Sequence, residues 1–218
     1  MKQNIFYLIL TSIILFTLIV CTIIIVTFLN SSSLNLNDME TQARELMEDK
    51  GNTLVIMQTN FGDIYVELYT LKSPITAGNF KELVENGFYD GIKFHRVIPN
   101  FMIQGGDPLT KNDSLQARWG TGGPGYTIED EFIRGLSNVR GTLSMANSGP
   151  QSGGSQFFIN TVNNTNLDFD KQPMTSRHPV FGKVLIGMEI VDEISRVPRN
   201  QRDVPNEPVI IESAKVIA

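Results

Sequence analysis

Hydrophobic and polar positions divide the chain into stretches with different periods. From Ile5 to Leu29 it reads IFYLILTSIILFTLIVCTIIIVTFL, with no charge, no glycine and no proline. At ~1.5 Å per residue such a run makes roughly 37 Å of helix, longer than the ~30 Å hydrocarbon core, so it predicts a single transmembrane span with some tilt. A cleaved export signal would have a shorter apolar region, roughly 7–15 residues, and a small-residue cleavage site. Asn30-Ser31-Ser32 is a poor one. Val20 is bulky for lipoprotein processing at Cys21, which therefore reads as a lipid-facing thiol. Residues 30–37, NSSSLNLN, are small and polar and read as a spacer. Met39, Ala43, Leu46 and Met47 then recur at helical spacing before Gly51, which predicts a short amphipathic helix.

After Asn52 the period shortens to two. TLVIMQ and DIYVEL flank TNFG as a hairpin. A helix follows, with Ser73 as cap, Pro74 in its first turn, Phe80, Leu83 and Val84 on one face, and Gly87 as its stop. KFHRVI and FMIQ are the next strands, then an irregular glycine-rich region from Gly105 to Gly125. TLSMA, QFFINT and VFGKVL are strands, MEIVDEISRV is a second helix, and PVIIESAKVIA is the last strand. The organisation is then a tip (1–4), an anchor (5–29), a spacer with its short helix (30–51) and a folded domain (52–218). The domain is mainly β, with an antiparallel sheet closing on itself and helices over its open ends. Periodicity alone leaves barrel and sandwich both open.

Charge fixes the orientation. Lys2 precedes the apolar run and no Lys or Arg follows it until Arg44, so the positive-inside rule puts the N-terminus in the cytoplasm and the domain on the extracytoplasmic side. The net charge of −5, without a basic block, argues against nucleic acid as a partner. Cys21 is the sole cysteine, so the domain has no disulfide and holds together by packing. Acceptor patterns for N-glycosylation begin at Asn30, Asn112 and Asn163.

His95 and His178 are the two histidines, and with no cysteine in the domain they do not make a metal site. Ser144, Ser148 and Ser155 lack the G-x-S-x-G elbow. GTGGPG, Gly120 to Gly125, lacks the Lys-Ser/Thr of a phosphate loop and reads as irregular surface. The remaining candidate is FHRVIPNFMIQGGDP, Phe94 to Pro108. Alternation places Phe94, Arg96 and Ile98 on one face and His95 with Val97 on the other. After the Pro99-Asn100 turn, Phe101 and Ile103 point one way and Met102 and Gln104 the other. An arginine among apolar neighbours either snorkels to a rim or has work to do there. On pattern alone His95 is a satisfied core histidine, Phe101 and Phe158 are core aromatics, and Met102 fills a gap. Gln104 and Gln156 read as solvated amides and Asn147 as a turn former.

That stretch, together with GYTIEDEF, GTLSMANSGPQSGGSQFFI and HPVFGKV in the same order, closely resembles the cyclophilin family of peptidyl-prolyl cis-trans isomerases, over roughly Thr53 to Ala218. The resemblance implies a closed eight-stranded antiparallel β-barrel capped by two α-helices, with a groove on its outer face. It implies that Arg96 is the catalytic arginine, with Phe101 and Gln104 beside it. Met102, Phe158 and Leu167 would line a proline pocket, Gln156 would be a polar groove residue, Ala146 and Asn147 would bind peptide backbone, and His178 would sit at the pocket edge. It implies no cofactor, proline-containing segments of folding proteins as substrates, and a cyclosporin-type ligand weakened by Asn166, which stands where many members carry an aromatic residue. A non-catalytic, membrane-tethered proline-peptide-binding or chaperone module is the alternative.

Overall fold

The computed structural model describes residues 36–172 and 177–217. The expected tip and anchor, residues 1–29, lie outside the described residues, as does most of the spacer. Among the described residues no helix is long and apolar enough to cross a membrane. The chain divides into two compact units, residues 1–42 and 43–218. Residues 36–46 are helical (α1) and span that division. Ala43 and Met47 are buried as their spacing suggested, whereas Leu46 is exposed.

The second unit is built on β1 (Thr53–Thr59), β2 (Gly62–Leu68), α2 (Pro74–Glu85), β3 (Arg96–Ile98), β4 (Met102–Gly105), β5 (Thr142–Met145), β6 (Phe157–Asn160), β7 (Val180–Ile186), α3 (Met188–Ser195) and β8 (Ile211–Ile217). β1 and β2 form the expected hairpin, closing at Thr59 and Gly62, and Gly62 takes a φ of 137° that other residues rarely adopt. The strands make one antiparallel sheet in the order β3-β4-β6-β5-β7-β2-β1-β8. Its inner face carries Val55, Val66, Val97, Ile103, Leu143, Phe157 and Ile159. Phe80 and Val84 of α2 and Val191 and Ile194 of α3 complete this core.

The sheet curls into a half-barrel and does not close as expected. β3 and β8 are its edges. Between them stand a single bridge, Lys93 to Ile210, and a few backbone bonds, Gly91 N to Ile211 O (2.8 Å), Ile211 N to Ile92 O (2.8 Å) and Phe94 N to Val209 O (2.9 Å). Two features prevent a full ladder. β3 is three residues long, and the segment leading into β8 contains Pro205 and Pro208, which have no N–H to donate.

Ser73 sits at the start of α2 but does not cap it with its own side chain. The Glu131 carboxylate does so, accepting from Ser73 Oγ (2.6 Å), Ile75 N (3.2 Å) and Thr76 N (2.9 Å). It satisfies donors that the helix leaves unpaired and places negative charge at the positive end of its dipole.

On β1 and β2, Leu54, Ile56, Tyr65 and Glu67 alternate with the core residues and so face outward, yet all are buried. Glu67 accepts from Glu48 N (3.0 Å), Asp49 N (3.1 Å) and Asn52 Nδ2 (2.8 Å). Lys183 of β7 lies 3.8 Å from Glu67 and donates to Glu48 at 2.8 Å. Residues 48–52 are therefore strapped to the outer face of β2 and β7.

Candidate active site

β4 runs between β3 and β6, and the register sets Arg96 opposite Gln104 and Gln104 opposite Phe158. Residues opposite one another in an antiparallel pair share a face. The intervening Val97, Ile103 and Ile159 are in the core, so Arg96, Gln104, Met102 and Phe158 face outward together. Phe157 and Phe158 thus point in opposite directions, the first into the core and the second into a separate outer cluster with Met102 and Leu167. Ile98, Phe101 and Ala146 pack against that cluster.

Two placements differ from simple alternation. Phe94 belongs to the core and does not share the face of Arg96, because regular pairing begins only at Arg96 and residues 93–95 bond irregularly. Phe101 joins Met102 on the outer side and not Ile103, since it lies in the turn before β4, after Asn100 with its φ of 57°. Its carbonyl accepts from Thr161 N (3.0 Å) and Asn164 Nδ2 (2.8 Å), which fixes the turn. The Asn164 amide also donates to Asn160 Oδ1 at 2.7 Å. Nothing in the local pattern marked Asn160 or Asn164.

A chain of amides orders the polar side. The exposed Arg96 guanidinium reaches Gln104 Oε1 at 3.5 Å, Gln104 Nε2 donates to Gln156 Oε1 at 3.0 Å, and Gln156 Nε2 donates to the carbonyls of Gly120 (3.0 Å) and Gly122 (2.8 Å). GTGGPG, expected to be irregular surface, thus supplies the acceptors that hold Gln156. A cavity of about 360 Å³ adjoins this chain, lined in part by Gln104, Gln156, Ala146, Asn147, Thr121 and Tyr126. The Asn147 side chain donates to Arg177 O (2.8 Å) and accepts from Gly149 N (3.3 Å), which is the geometry of a turn former.

His178 stands edge-on to Phe158, ring centroids 5.2 Å apart at 83°, and its backbone N–H donates to Leu167 O at 3.1 Å. Its Nδ1 donates to Met145 O at 2.9 Å, which assigns the neutral proton to that nitrogen. Burial lowers its pKa, and the bond to Met145 opposes this. Asn166 is exposed beside Leu167 and offers no aromatic wall there. His95 is buried, but neither ring nitrogen has a hydrogen-bond partner among the described residues, so it is not the satisfied core histidine its pattern suggested. Burial pushes its pKa down from 6.5 to about 4, opposed by the charge of Asp107.

Both histidines are therefore neutral at pH 7, and the turnover rate is expected to show no inflection near 6.5. Stability behaves differently. Unfolded His95 takes up a proton near 6.5 and folded His95 only near 4. Stability falls as pH drops through that window, by up to about 1.4 kcal/mol per pH unit from this group. Denaturant midpoints at pH 7 and 5.5 should separate in the parent and separate less in His95→Phe, where His178 alone of the two histidines remains; an equal separation in both proteins would refute the assignment.

Among the described residues no cluster of histidine, cysteine and carboxylate side chains could hold a metal. The outer face thus sets an exposed cationic donor, Arg96, beside an apolar cluster. Residues 54–216 match the family model described as cyclophilin type peptidyl-prolyl cis-trans isomerase/CLD. A peptidyl-prolyl cis-trans isomerase of Acinetobacter baylyi is 47% identical over 170 residues, 76% of this chain and 86% of its own. Peptidyl-prolyl cis-trans isomerase A of Dickeya dadantii is 41% identical over 171 residues, 76% of this chain and 85% of its own. The crystal structure of a Cryptosporidium parvum cyclophilin-type isomerase superposes with a TM-score of 0.65 at 30% identity, covering 77% of this chain and 98% of that one. The same protein, crystallised in the presence of the dipeptide Ala-Pro, gives 0.65 at 31% identity, covering 76% and 99%. With an outer-face arginine beside an apolar cluster and a family match that runs through nearly the whole folded unit, the chain belongs to the cyclophilin-type peptidyl-prolyl cis-trans isomerases.

Proposed function

We propose that isomerisation proceeds in the outer groove, with the proline ring seated on Met102, Phe101, Phe158 and Leu167 and the Arg96 guanidinium facing the amide that rotates. The observation that carries this reading is the position of Arg96, exposed on the same face as the apolar cluster and linked to Gln104 and Gln156. Rotation about an X–Pro bond meets a barrier of ~18–20 kcal/mol because resonance keeps the amide planar. As the amide twists, its nitrogen pyramidalises and regains a lone pair. A donor already in place stabilises that arrangement more than the planar ground state, and this difference is the catalysis. The apolar seat holds the ring while the preceding carbonyl swings, and it keeps water from competing for the guanidinium. Gln104 and Gln156 orient the donor, Ala146 and Asn147 border the path of the peptide backbone, and His178 stiffens Phe158 from the side. No proton is transferred and no cofactor enters. NMR exchange on a proline peptide with the full chain tests the reading: unaccelerated cis/trans exchange in a bound peptide would make the groove a binding module.

The apolar run from Ile5 to Leu29 supports a further part of the proposal, that the enzyme is held at a membrane with its groove on the extracytoplasmic side and acts on exported proteins during folding. Protease added to intact cells should remove the folded domain without permeabilisation. Protection until the membrane is breached would reverse the orientation, and recovery of the intact chain in the wash fraction would remove the anchor.

A further inference from the structure

Asp107 lies two residues beyond β4, is fully buried, and makes no bond to any other charged side chain among the described residues. Its two carboxylate oxygens serve backbone N–H groups from two directions. Oδ1 accepts from Leu109 N at 2.7 Å, and Oδ2 accepts from Gly120 N at 2.5 Å and Gly122 N at 3.2 Å. The loop could not close on it with larger residues: a Cβ on Gly122 would lie 2.0 Å from Asp107 Oδ1, and Gly120 has a φ of 93°. Once Asp107 has gathered these two N–H groups, the carbonyls of the same two glycines are presented to Gln156 Nε2. Gln156 holds Gln104, and Gln104 meets Arg96.

We propose that Asp107 is a positioning residue for isomerisation, setting the orientation of Arg96 through the Gly120–Gly122 backbone, Gln156 and Gln104. This rests on the reading of Arg96 as the donor to the twisting amide. Asp107 touches no substrate. Its charge matters because three N–H groups converge on it, and a carboxylate answers all three where an amide answers only one side. In Asp107→Asn the amide NH₂ must face either Leu109 N or the two glycine N–H groups, and the loop shifts. A displacement of about 1 Å at a donor costs on the order of 100-fold in rate.

The full chain carrying Asp107→Asn is expected to lose roughly 10- to 100-fold in kcat with a smaller change in KM. In a Gln156→Leu background, where the link is already cut, the same substitution should cost less than about threefold, because residues in one network are not additive. Gly122→Ala, which keeps the carboxylate and moves the loop, should repeat this pattern and decides the matter if Asp107→Asn fails to fold. The side-chain amide resonances of Gln156 should move toward free-glutamine values in either variant. Activity within twofold of the parent, or an equal loss in both backgrounds, would overturn the proposal. An Arg96→Ala enzyme of undiminished rate would instead overturn the reading on which it rests. Strong dependence on Arg96 with additive Asp107 effects would sink the positioning role alone.

Discussion

Arg96→Ala is expected to lower kcat/KM for X–Pro isomerisation by roughly 100- to 1000-fold, the range seen when a preorganised donor to a transition state is removed. The loss should fall mainly on kcat, because the substitution leaves untouched the proposed proline seat of Met102, Phe158 and Leu167. The side chain is exposed at the sheet's outer face, so its removal opens no core cavity, and thermal stability should stay within about 0.5 kcal/mol of the parent. Arg96→Lys should recover only part of the rate. An ammonium on a flexible stem keeps the charge but loses the planar fork that Gln104 orients. A rate for Arg96→Ala within threefold of the parent would sink the mechanism.

The largest stability effect is expected far from the groove. Glu67→Ala removes a buried carboxylate that holds three donors and leaves Glu48 N, Asp49 N and Asn52 Nδ2 without an acceptor. Lys183 loses one of its two carboxylates and keeps Glu48. Breaking one side of a buried charged network costs about 3–5 kcal/mol, a large share of the ~5–15 kcal/mol that holds a domain of this size. Glu67→Gln, with one acceptor retained, should cost about half as much. Urea unfolding gives both values, and kcat/KM measured well below the midpoint should not change. A cost under about 1 kcal/mol for Glu67→Ala would mean that residues 48–52 are held by apolar contact and not by this carboxylate.

The sequence made some elements plain because their causes are local. TLVIMQ, TNFG and DIYVEL announce a hairpin by alternation around a glycine turn, and that is the geometry found. Ser73-Pro74 placed the start of α2 correctly, but the group that caps it, Glu131, arrives from 58 residues away in the chain, beyond the reach of any local pattern. The closing of the sheet failed for a related reason. Whether β3 meets β8 depends on two segments more than a hundred residues apart, one short and one interrupted by proline.

The candidate site residues came from the resemblance, and local pattern left them nearly invisible. Phe157 and Phe158 are adjacent and chemically identical, yet one belongs to the core and the other to the outer cluster. Period two separates their faces without saying which face is inside. Phe101 escaped alternation because it precedes its strand, and Phe94 escaped because irregular pairing displaces it. Gly120 and Gly122 carry no side chains to betray a role, and their contribution is made through backbone carbonyls.

Glu67 grips residues 48–52 on β2, and the strand order places β7, β5 and β6 between that grip and the groove strand β4. In a curled sheet three intervening strands turn the outer face through a wide angle. The outer-face attachment of residues 48–52 and the Arg96 face therefore lie on well-separated parts of one sheet. Substitutions in the strap of residues 48–52 should therefore change stability without changing the chemistry proposed at Arg96, so the two properties can be tuned independently in one sheet.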